Sequence, residues 1–405
     1  MSQPKNLKTI VCIAPDSWES LYRTQQQIMG RLAKDYRVIF YEPGRKLGDN
    51  QIKSAVNATK NFFSVNVTKP MENLEVVPGV PSLPLFRTQL PKSVLQISTP
   101  VTSRINYLYS VRHLKRTLKV LNVKDPILWL WGFGDFGISA PRLIDDIDNI
   151  GSCYLVYDEG PDFAHNVRIK EILRNADNIA TQKSSFVITT SQSQLDRRID
   201  LNSEILFMPN GVDFPHFNSP LVKDVALPAD IANLPKPIIG FSGWMGYQMD
   251  VPLLIKIAER FSSGSLVLCG PNTIPASDEL TQLMGMPNVH FLGSKKPQDL
   301  PAYFQAFDVA TIPYVLEGHT RFIYPLKLHE YLAAGRAVVS TDLPNLYPHE
   351  DIVRIARSHD EYLTHLQNAI EDYSPEAVKI RTDLASQYSW DDRAKEVKDF
   401  VDSLE

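Results

Sequence analysis

Two side chains of opposite charge, Lys327 and Glu330, stand three residues apart in the segment PLKLHEYLAA. This spacing puts both on one face of a helix, close to its amino end. Unpaired N–H groups and partial positive charge at that end suit a phosphate group. A carboxylate one turn further along can accept hydrogen bonds from sugar hydroxyls. The pair therefore predicts a ligand of the nucleoside-diphosphate type, with Lys327 near a phosphate.

The elements around this pair form a strand–loop–helix–strand unit. The run VATIPY predicts a buried strand, and a polar loop covers 315–324. Pro325 suits the first helical turn, where its missing N–H is not needed, and Gly335 suits the helix end. A second buried strand, AVVST, follows. Ligands of parallel α/β sheets bind beyond the carboxyl ends of the strands, so we expect this loop and helix at the ligand edge.

The rest of the second half repeats the alternation of apolar strands and helices, which indicates a parallel sheet. Its first strand, KPIIGFS, runs into a loop that contains Gly243, Trp244 and Gly246. Glycines at this place let a backbone approach a pyrophosphate.

In the first half, polar residues follow two predicted strands. Trp18 and Arg23 come after TIVCIAP and could reach an acceptor, with loop packing as the alternative. Asp158, Glu159 and His165 come after GSCYLVY. There a carboxylate or imidazole could orient sugar hydroxyls or act as a base, with helix capping as the alternative. The opening strand–helix–strand lacks GxGxxG, so it is not a nicotinamide-binding fingerprint.

Length and composition narrow the class of protein. A chain of 405 residues predicts about two domains. The formal net charge of −4 argues against general binding of nucleic acid. The three cysteines, Cys12, Cys153 and Cys269, lie in apolar runs. They predict core residues of a cytosolic protein rather than a disulfide framework or a metal site.

The sequence predicts neither a membrane-spanning helix nor a signal peptide. No apolar run approaches the roughly 18 residues of a membrane-spanning helix, and the start MSQPKNLKT lacks the apolar region of a signal peptide. We therefore expect a cytoplasmic protein. The segment 104–124 predicts a helix with a basic face, formed by Arg112, Lys115, Arg116 and Lys119. Such a face could contact the inner face of a membrane peripherally, or it could simply be solvated.

Three segments resemble a known family: PNGVDFPHF, NVHFLGSKKPQDLPAYFQAFDVATIPY and PLKLHEYLAAGRAVVSTDLP. They are similar to motifs of the GT-B glycosyltransferases of the family 4 type (glycosyltransferase group 1). The segments DSW…R…Q and YDE…D resemble a bacterial subset that makes cell-surface polysaccharide. The resemblance implies an α/β fold of two Rossmann-like β/α/β domains, whose parallel sheets face each other across a cleft. It also implies a C-terminal helix that crosses back to the N-terminal domain.

Domain boundaries follow from composition. Prolines accumulate and periodicity lapses between Pro209 and Pro237. We predict an N-terminal, acceptor-side domain at 1–212, a linker at 213–236 and a C-terminal donor domain at 237–388. The resemblance assigns the last helix, at about 389–405, to the first domain.

The resemblance also implies substrates. The second domain would hold an NDP-sugar donor, UDP- or GDP-linked, and the first a carbohydrate or lipid-linked acceptor; neither a metal nor a cofactor is implied. Glu330 matches the glutamate that binds the donor ribose, Gly243 the diphosphate loop, and 291–294 the region beside the base. The predicted donor-binding residues are Gly243, Trp244, Gly246, Phe291, Gly293, Arg321, Lys327, Leu328 and Glu330.

The chain departs from the family pattern at two places. Members often carry two glutamates eight residues apart, but Phe322 stands eight residues before Glu330. Glu317, in a longer loop, is the candidate for that sugar-contacting, catalytic role. Many members also carry a basic residue after the first strand of the second domain. The segment GWMGYQMD has none, so Arg321 or Lys327 would neutralise the diphosphate.

These features predict a glycosyltransferase of the hexosyltransferase class. It would move a sugar from an NDP-sugar to a hydroxyl acceptor in the synthesis of surface polysaccharide or glycolipid. By analogy with the family, the transfer would retain the anomeric configuration. Two alternatives stay open: an NDP-sugar epimerase of similar architecture, and a non-catalytic glycan-assembly subunit, which Phe322 in place of a glutamate would suit.

Overall fold

The computed structural model describes residues 7–19, 24–44, 65–80, 92–132, 139–157, 159–163, 166–223 and 225–404. The chain divides into two compact units, Met1–Met208 with Ala394–Glu405 and Pro209–Arg393. The division therefore falls after Met208 and Arg393, and not after 212 and 388 as predicted.

The first unit is built on one sheet. Its described strands are β1 (Thr9–Ile13), β2 (Arg37–Tyr41), β3 (Thr68–Met71), β4 (Leu74–Val77), β5 (Ile127–Trp131), β6 (Gly151–Val156), β7 (Phe186–Thr189) and β8 (Ile205–Phe207). They lie in the order β3-β4-β2-β1-β5-β6-β7-β8. All neighbours are parallel except β3 and β4. Strands β1, β5 and β6 are buried along their whole length, as expected where both faces of a parallel sheet are covered.

The described helices of the first unit are α1 (Thr24–Leu32), α2 (Lys92–Val120), α3 (Ala140–Asp146), α4 (Val167–Lys183) and α5 (Gln192–Asp196). Helix α2 starts well before the predicted position 104 and ends four residues before 124. Its first part was not predicted because Pro100 argues against a helix. Of the helices in the described ranges, none is both long and apolar enough to cross a bilayer.

The second unit contains a six-stranded, all-parallel sheet. Its strands are β9 (Ile238–Ser242), β10 (Ser265–Cys269), β11 (Val289–Gly293), β12 (Val309–Ile312), β13 (Ala337–Thr341) and β14 (Arg354–Ala356). They lie in the order β11-β10-β9-β12-β13-β14. The described helices are α6 (Phe214–Val222), α7 (Val251–Arg260), α8 (Asp278–Met284), α9 (Leu300–Ala306), α10 (Lys327–Ala333), α11 (His359–Glu371) and α12 (Pro375–Ser386). The predicted fold of two Rossmann-like, mainly parallel α/β sheets is thus confirmed.

The predicted linker, 213–236, is folded as part of the second unit. Helix α6 lies in it, with the ring of Phe217 stacked on that of Phe304 of α9 at 5.5 Å. Asn218 Nδ2 donates to the carbonyl of Ala333 at 2.9 Å. This short helix, which has Pro215 in its first turn and Pro220 inside it, is too irregular to show a helical period in the sequence.

The last helix, α13 (Trp390–Asp402), begins in the second unit and continues in the first. Within the first unit, Tyr36 Oη donates to the carboxylate of Asp402. The rings of Phe186 and Phe400 lie 5.5 Å apart. The end of the chain therefore packs on the N-terminal sheet.

Candidate functional site

The order of strands in the second unit reverses at β9. Strands β10 and β11 lie on one side of β9, and β12, β13 and β14 lie on the other. In open α/β sheets, ligands bind beyond the carboxyl ends of the strands at such a reversal. The candidate site is therefore expected just after Ser242 and Ile312.

The ammonium group of Lys327 lies at this point. Its Nζ donates to Tyr314 Oη and stands 4.3 Å from the ring centroid of Phe241 and 4.8 Å from that of Tyr314. A Cβ atom added to Gly243 would lie 2.8 Å from this Nζ. The structure thus brings together Lys327 and Gly243, which stand far apart in the sequence, and holds a cation over two aromatic faces.

Helix α10, which carries Lys327, is held against the end of β9. It begins at Lys327 and not at Pro325. Pro325 belongs to the turn before the helix, where its carbonyl accepts the N–H of Leu328 at 3.1 Å. It ends as predicted at Gly335, whose φ is +72° and whose N–H donates to the carbonyl of Leu332 at 2.9 Å. Tyr331 Oη accepts the N–H of Ser242 at 2.7 Å. This bond ties the helix to the end of β9.

Glu330 stands one turn after Lys327 on the same helix. Burial raises the pKa of its carboxyl to about 7, although the charge of Lys327 lowers it. The residue is closely packed, yet part of its surface remains accessible. A ligand that donates hydrogen bonds to the carboxylate would favour its ionised form.

Three glycines shape the edge of the sheet beside Lys327. Gly243, Gly270 and Gly293 follow or end β9, β10 and β11, and their φ values are +139°, +140° and +69°. A Cβ atom on Gly270 would lie 1.9 Å from the carbonyl oxygen of Gly243, whereas one on Gly293 would meet nothing within 4 Å. Sequence reasoning missed Gly270, although it directly follows a buried strand in LVLCGP.

Other predicted donor-binding residues differ in exposure. Leu328 is fully buried in the core, so its side chain serves packing and the prediction is corrected. Phe291 is partly buried against the same core, and Arg321 is exposed. Gly246 has a packing role because a Cβ atom there would lie 2.3 Å from the Trp244 ring.

Glu317, the candidate for the missing glutamate, is exposed. It lines a cavity of about 410 Å³ together with Tyr314, Arg357 and His359. Neither Lys327 nor Glu330 is among the residues that line this cavity. Its catalytic role stays a prediction.

The candidates of the first unit are described only in part, since Arg23, Asp158 and His165 lie outside the described residues. Trp18 is partly exposed; its ring lies edge-on to Phe40 at 5.1 Å, and its backbone N–H donates to Glu42 Oε1 at 2.7 Å. Loop packing therefore accounts for part of this side chain.

Glu159 lies in a buried ion cluster. It is 1% exposed, and its carboxylate accepts from Arg198 at 2.7 Å, from Arg174 at 2.7 Å and from Arg197 at 3.0 Å. Burial alone would raise the pKa of this carboxyl, but Arg198 and Arg174 more than offset it, and the pKa lies below its usual value. The structure therefore places this carboxylate in a buried ion pair, and its catalytic role stays a prediction.

The predicted core cysteines are free and buried. Burial raises the pKa of the Cys12 thiol to about 12, which makes it unreactive. Among the described residues, no three His, Cys, Asp or Glu side chains are grouped so as to hold a metal ion.

Together, the fold and the site define a protein of two doubly wound α/β units, with the Lys327 ammonium group at the ligand edge of the second. Residues 236–372 match the family model described as Glycosyl transferases group 1. This match lies within the second unit.

One similar protein is TuaH of Bacillus subtilis (strain 168), whose name assigns it to teichuronic acid biosynthesis as a glycosyltransferase. It is 23% identical over 180 residues, which span 44% of this chain and 45% of TuaH. The chain thus matches less than half the length of this relative.

Solved structures show the same fold over nearly the whole chain. Sucrose-phosphate synthase from Thermosynechococcus elongatus has a TM-score of 0.69 at 14% identity, covering 98% of this chain and 99% of its own. HepE of Anabaena, in complex with UDP, has a TM-score of 0.61 at 16% identity, covering 98% and 100%. These likenesses establish the GT-B architecture.

Proposed function

We propose that the protein transfers a sugar from an NDP-sugar to a hydroxyl acceptor in the synthesis of surface polysaccharide or glycolipid. The observation that carries this proposal is the place of Lys327 Nζ, at the strand reversal beside Gly243, with Glu330 one turn further along. Two proteins of the same fold were solved with nucleotide ligands. HepE is in complex with UDP, and the trehalose-6-phosphate enzyme of E. coli is bound with UDP-2-fluoro glucose. These complexes support a nucleotide-sugar donor.

In the proposed reaction, charge develops on the diphosphate as the sugar leaves. Lys327 and the backbone N–H groups of the glycine-rich edge would stabilise that charge in place, without reorganisation. Glu330, once ionised, would accept the ribose hydroxyls. Retention of the anomeric configuration, without a covalent enzyme intermediate, is part of the proposal and rests on the family resemblance.

The experiment has two steps. Calorimetry with UDP and GDP measures whether the protein binds a nucleoside diphosphate, and an NDP-release assay with UDP- and GDP-sugars is then run against a panel of glycan and lipid-linked acceptors. We expect binding of one diphosphate and acceptor-dependent release. A protein that binds neither diphosphate would end the proposal. Conversion of the donor alone to another NDP-sugar would point to the epimerase instead.

We further propose that the protein is cytoplasmic and that it contacts a membrane peripherally through α2. The helix contains no aspartate or glutamate, and its outward face exposes five cationic residues, Arg104, Arg112, Lys115, Arg116 and Lys119. Ile105 and Leu108 on this face are 49% and 47% exposed. Cations beside exposed aliphatic side chains are typical of helices that lie on anionic lipid. A lipid-linked acceptor would be found at such a surface.

A further inference from the structure

The loop 243–250, which joins β9 to α7, exposes two large aromatic side chains. Trp244 is 39% exposed and Tyr247 is 47% exposed. Their rings form an edge-to-face pair with centroids 5.3 Å apart and planes inclined by 74°. Between and after them, Met245 and Met249 are buried, at 0% and 4% exposure. The two methionines therefore anchor a loop that holds both aromatic side chains at the surface.

Backbone hydrogen bonds fix this loop on both sides. Toward β10, the N–H of Met245 donates to Pro271 at 3.0 Å, and that of Thr273 donates to Met245 at 2.7 Å. Toward β12, the N–H of Asp250 donates to Pro313 at 2.9 Å, and that of Val315 donates to Gln248 at 2.9 Å. The positions of the rings are thus set before a ligand arrives, so little ordering cost remains on binding.

The chemistry of this surface differs from that of its neighbour Lys327. The segment GWMGYQM contains no charged side chain, so none of its side chains can form an ion pair with a diphosphate. It offers instead flat aromatic faces, with the polar Nε1–H of Trp244 at the rim of one of them. A pyranose ring matches such a surface, because one face of the ring presents C–H groups and its rim presents hydroxyls.

We propose that Trp244 and Tyr247 form a binding surface for the pyranose ring of a carbohydrate substrate. The proposal rests on the proposed function for its ligand class. A Cβ atom on Gly243 would lie 2.8 Å from Lys327 Nζ, and Trp244 is the next residue in the chain. We therefore infer that these rings could contact a sugar linked to a bound diphosphate, or an acceptor sugar beside it. The donor sugar and the acceptor sugar share this chemistry, and the experiment separates them.

The variants are Trp244→Ala, Tyr247→Ala and the ring-conserving Trp244→Phe. The matched control is Tyr373→Ala. Tyr373 is 61% exposed but lies beside Arg336. Arg336 directly precedes β13, at the amino ends of the strands, whereas Trp244 follows the carboxyl end of β9. Calorimetry compares UDP with UDP-glucose and GDP with GDP-mannose, and saturation-transfer NMR tests methyl glycosides and short oligosaccharides. Thermal unfolding reports whether each variant is folded.

We expect both alanine variants to weaken binding of a sugar-bearing probe about tenfold. Trp244→Phe and Tyr373→Ala should bind nearly as the parent does, and affinity for the free diphosphate should not change. Loss confined to the NDP-sugar assigns the surface to the donor sugar, and loss confined to the oligosaccharides assigns it to the acceptor.

The proposal is overturned if the alanine variants weaken binding of the free diphosphate as much as binding of the NDP-sugar, since the rings would then contact the base or the phosphates. It is also overturned if no sugar-bearing probe is affected. A third outcome separates the two proposals: the parent binds oligosaccharides but no diphosphate, and Trp244→Ala loses the oligosaccharide binding. That result would support the carbohydrate surface and refute the proposed NDP-sugar donor.

Discussion

The imidazole of His329 lies face to face with the phenol ring of Tyr388, with centroids 4.0 Å apart and planes inclined by 17°. Tyr324 Oη hydrogen-bonds Nε2 of His329 at 2.7 Å and Nε2 of His349 at 2.9 Å. His329 is fully buried, and its Nδ1 has no hydrogen-bond partner. A buried N–H without a partner is rarer than a buried acceptor without one. We therefore assign the proton of His329 to Nε2, so that Tyr324 donates to His349.

This cluster predicts a loss of stability in acid. Burial lowers the pKa of His329 well below its usual value, and the neighbouring His349 and Arg393 act in the same direction. The unfolded chain binds a proton near pH 6.5 and the folded state does not, so the free energy of unfolding falls as pH drops below about 6.5. One such proton is worth about 1.4 kcal/mol per pH unit.

The measurement is the melting temperature between pH 5 and 8 for the parent, for His329→Phe and for the control His216→Ala. His216 is a partly exposed histidine of the same unit that lies outside the His329 cluster. Because the raised pKa of Glu330 favours the folded state as pH falls, the slopes must be compared between variants. We expect the melting temperature to fall less steeply in acid only in His329→Phe. Parallel curves for all three proteins would contradict the lowered pKa of His329.

Glu330→Gln tests the proposed ribose contact. The neutral amide keeps the shape but loses the charge that accepts hydroxyl donors, so we expect about tenfold weaker NDP binding. In the parent, ligand hydroxyls favour the ionised carboxylate, so NDP affinity should fall as pH decreases below about 7. This pH dependence should disappear in the variant.

Calorimetry at several pH values measures both effects. Glu259→Gln, at an exposed position of α7, is the control and should behave like the parent. Because a buried charge is removed, Glu330→Gln should also be at least as stable as the parent at pH 8. Unchanged NDP affinity in a folded Glu330→Gln protein would remove the ribose assignment.

Gly243→Ala tests the place of the Lys327 ammonium. A φ of +139° is essentially restricted to glycine and costs other residues about 1–3 kcal/mol. The added methyl group would also displace the Lys327 Nζ from the faces of Phe241 and Tyr314. We expect a lower melting temperature and weaker NDP binding, with the binding defect shared by Lys327→Met.

Gly285→Ala is the matched control, because its added Cβ would lie 3.4 Å from the nearest atom at φ −83°. It should bind NDP as the parent does. Full NDP affinity in Lys327→Met would show that the cation at the strand reversal does not contact the ligand.

Local patterns account for most of what could be predicted. The unit from β12 to β13 follows from two apolar runs and from Gly335, which are signals within a few residues. The neighbours of Lys327 could not be predicted, because Gly243 stands 84 residues earlier and meets it only through the strand order. The ion pairs of Glu159 could not be predicted for the same reason: the acidic cluster is local, but Arg198 lies 39 residues further along.

Glu159→Gln separates an ion pair from a catalytic group. Removing one partner of a buried pair leaves charge uncompensated, which typically costs about 3–5 kcal/mol. We expect a much lower melting temperature but parental NDP affinity, since the donor site lies in the other unit. Glu171→Gln, at an exposed position of α4, should change neither. A Glu159→Gln protein as stable as the parent but without transfer activity would restore the catalytic assignment.

Charge reversal on α2 tests the membrane contact. Each exposed cation near an anionic bilayer contributes about 1 kcal/mol, so Lys115→Glu combined with Lys119→Glu should abolish co-sedimentation with phosphatidylglycerol vesicles. The control, Lys256→Glu combined with Lys296→Glu, makes the same change of charge at exposed positions of the second unit and should retain binding. Phosphatidylcholine vesicles should bind neither protein, and binding of the parent should weaken as salt is added. Equal losses in the two double variants would mean that net charge, and not the face of α2, determines the contact.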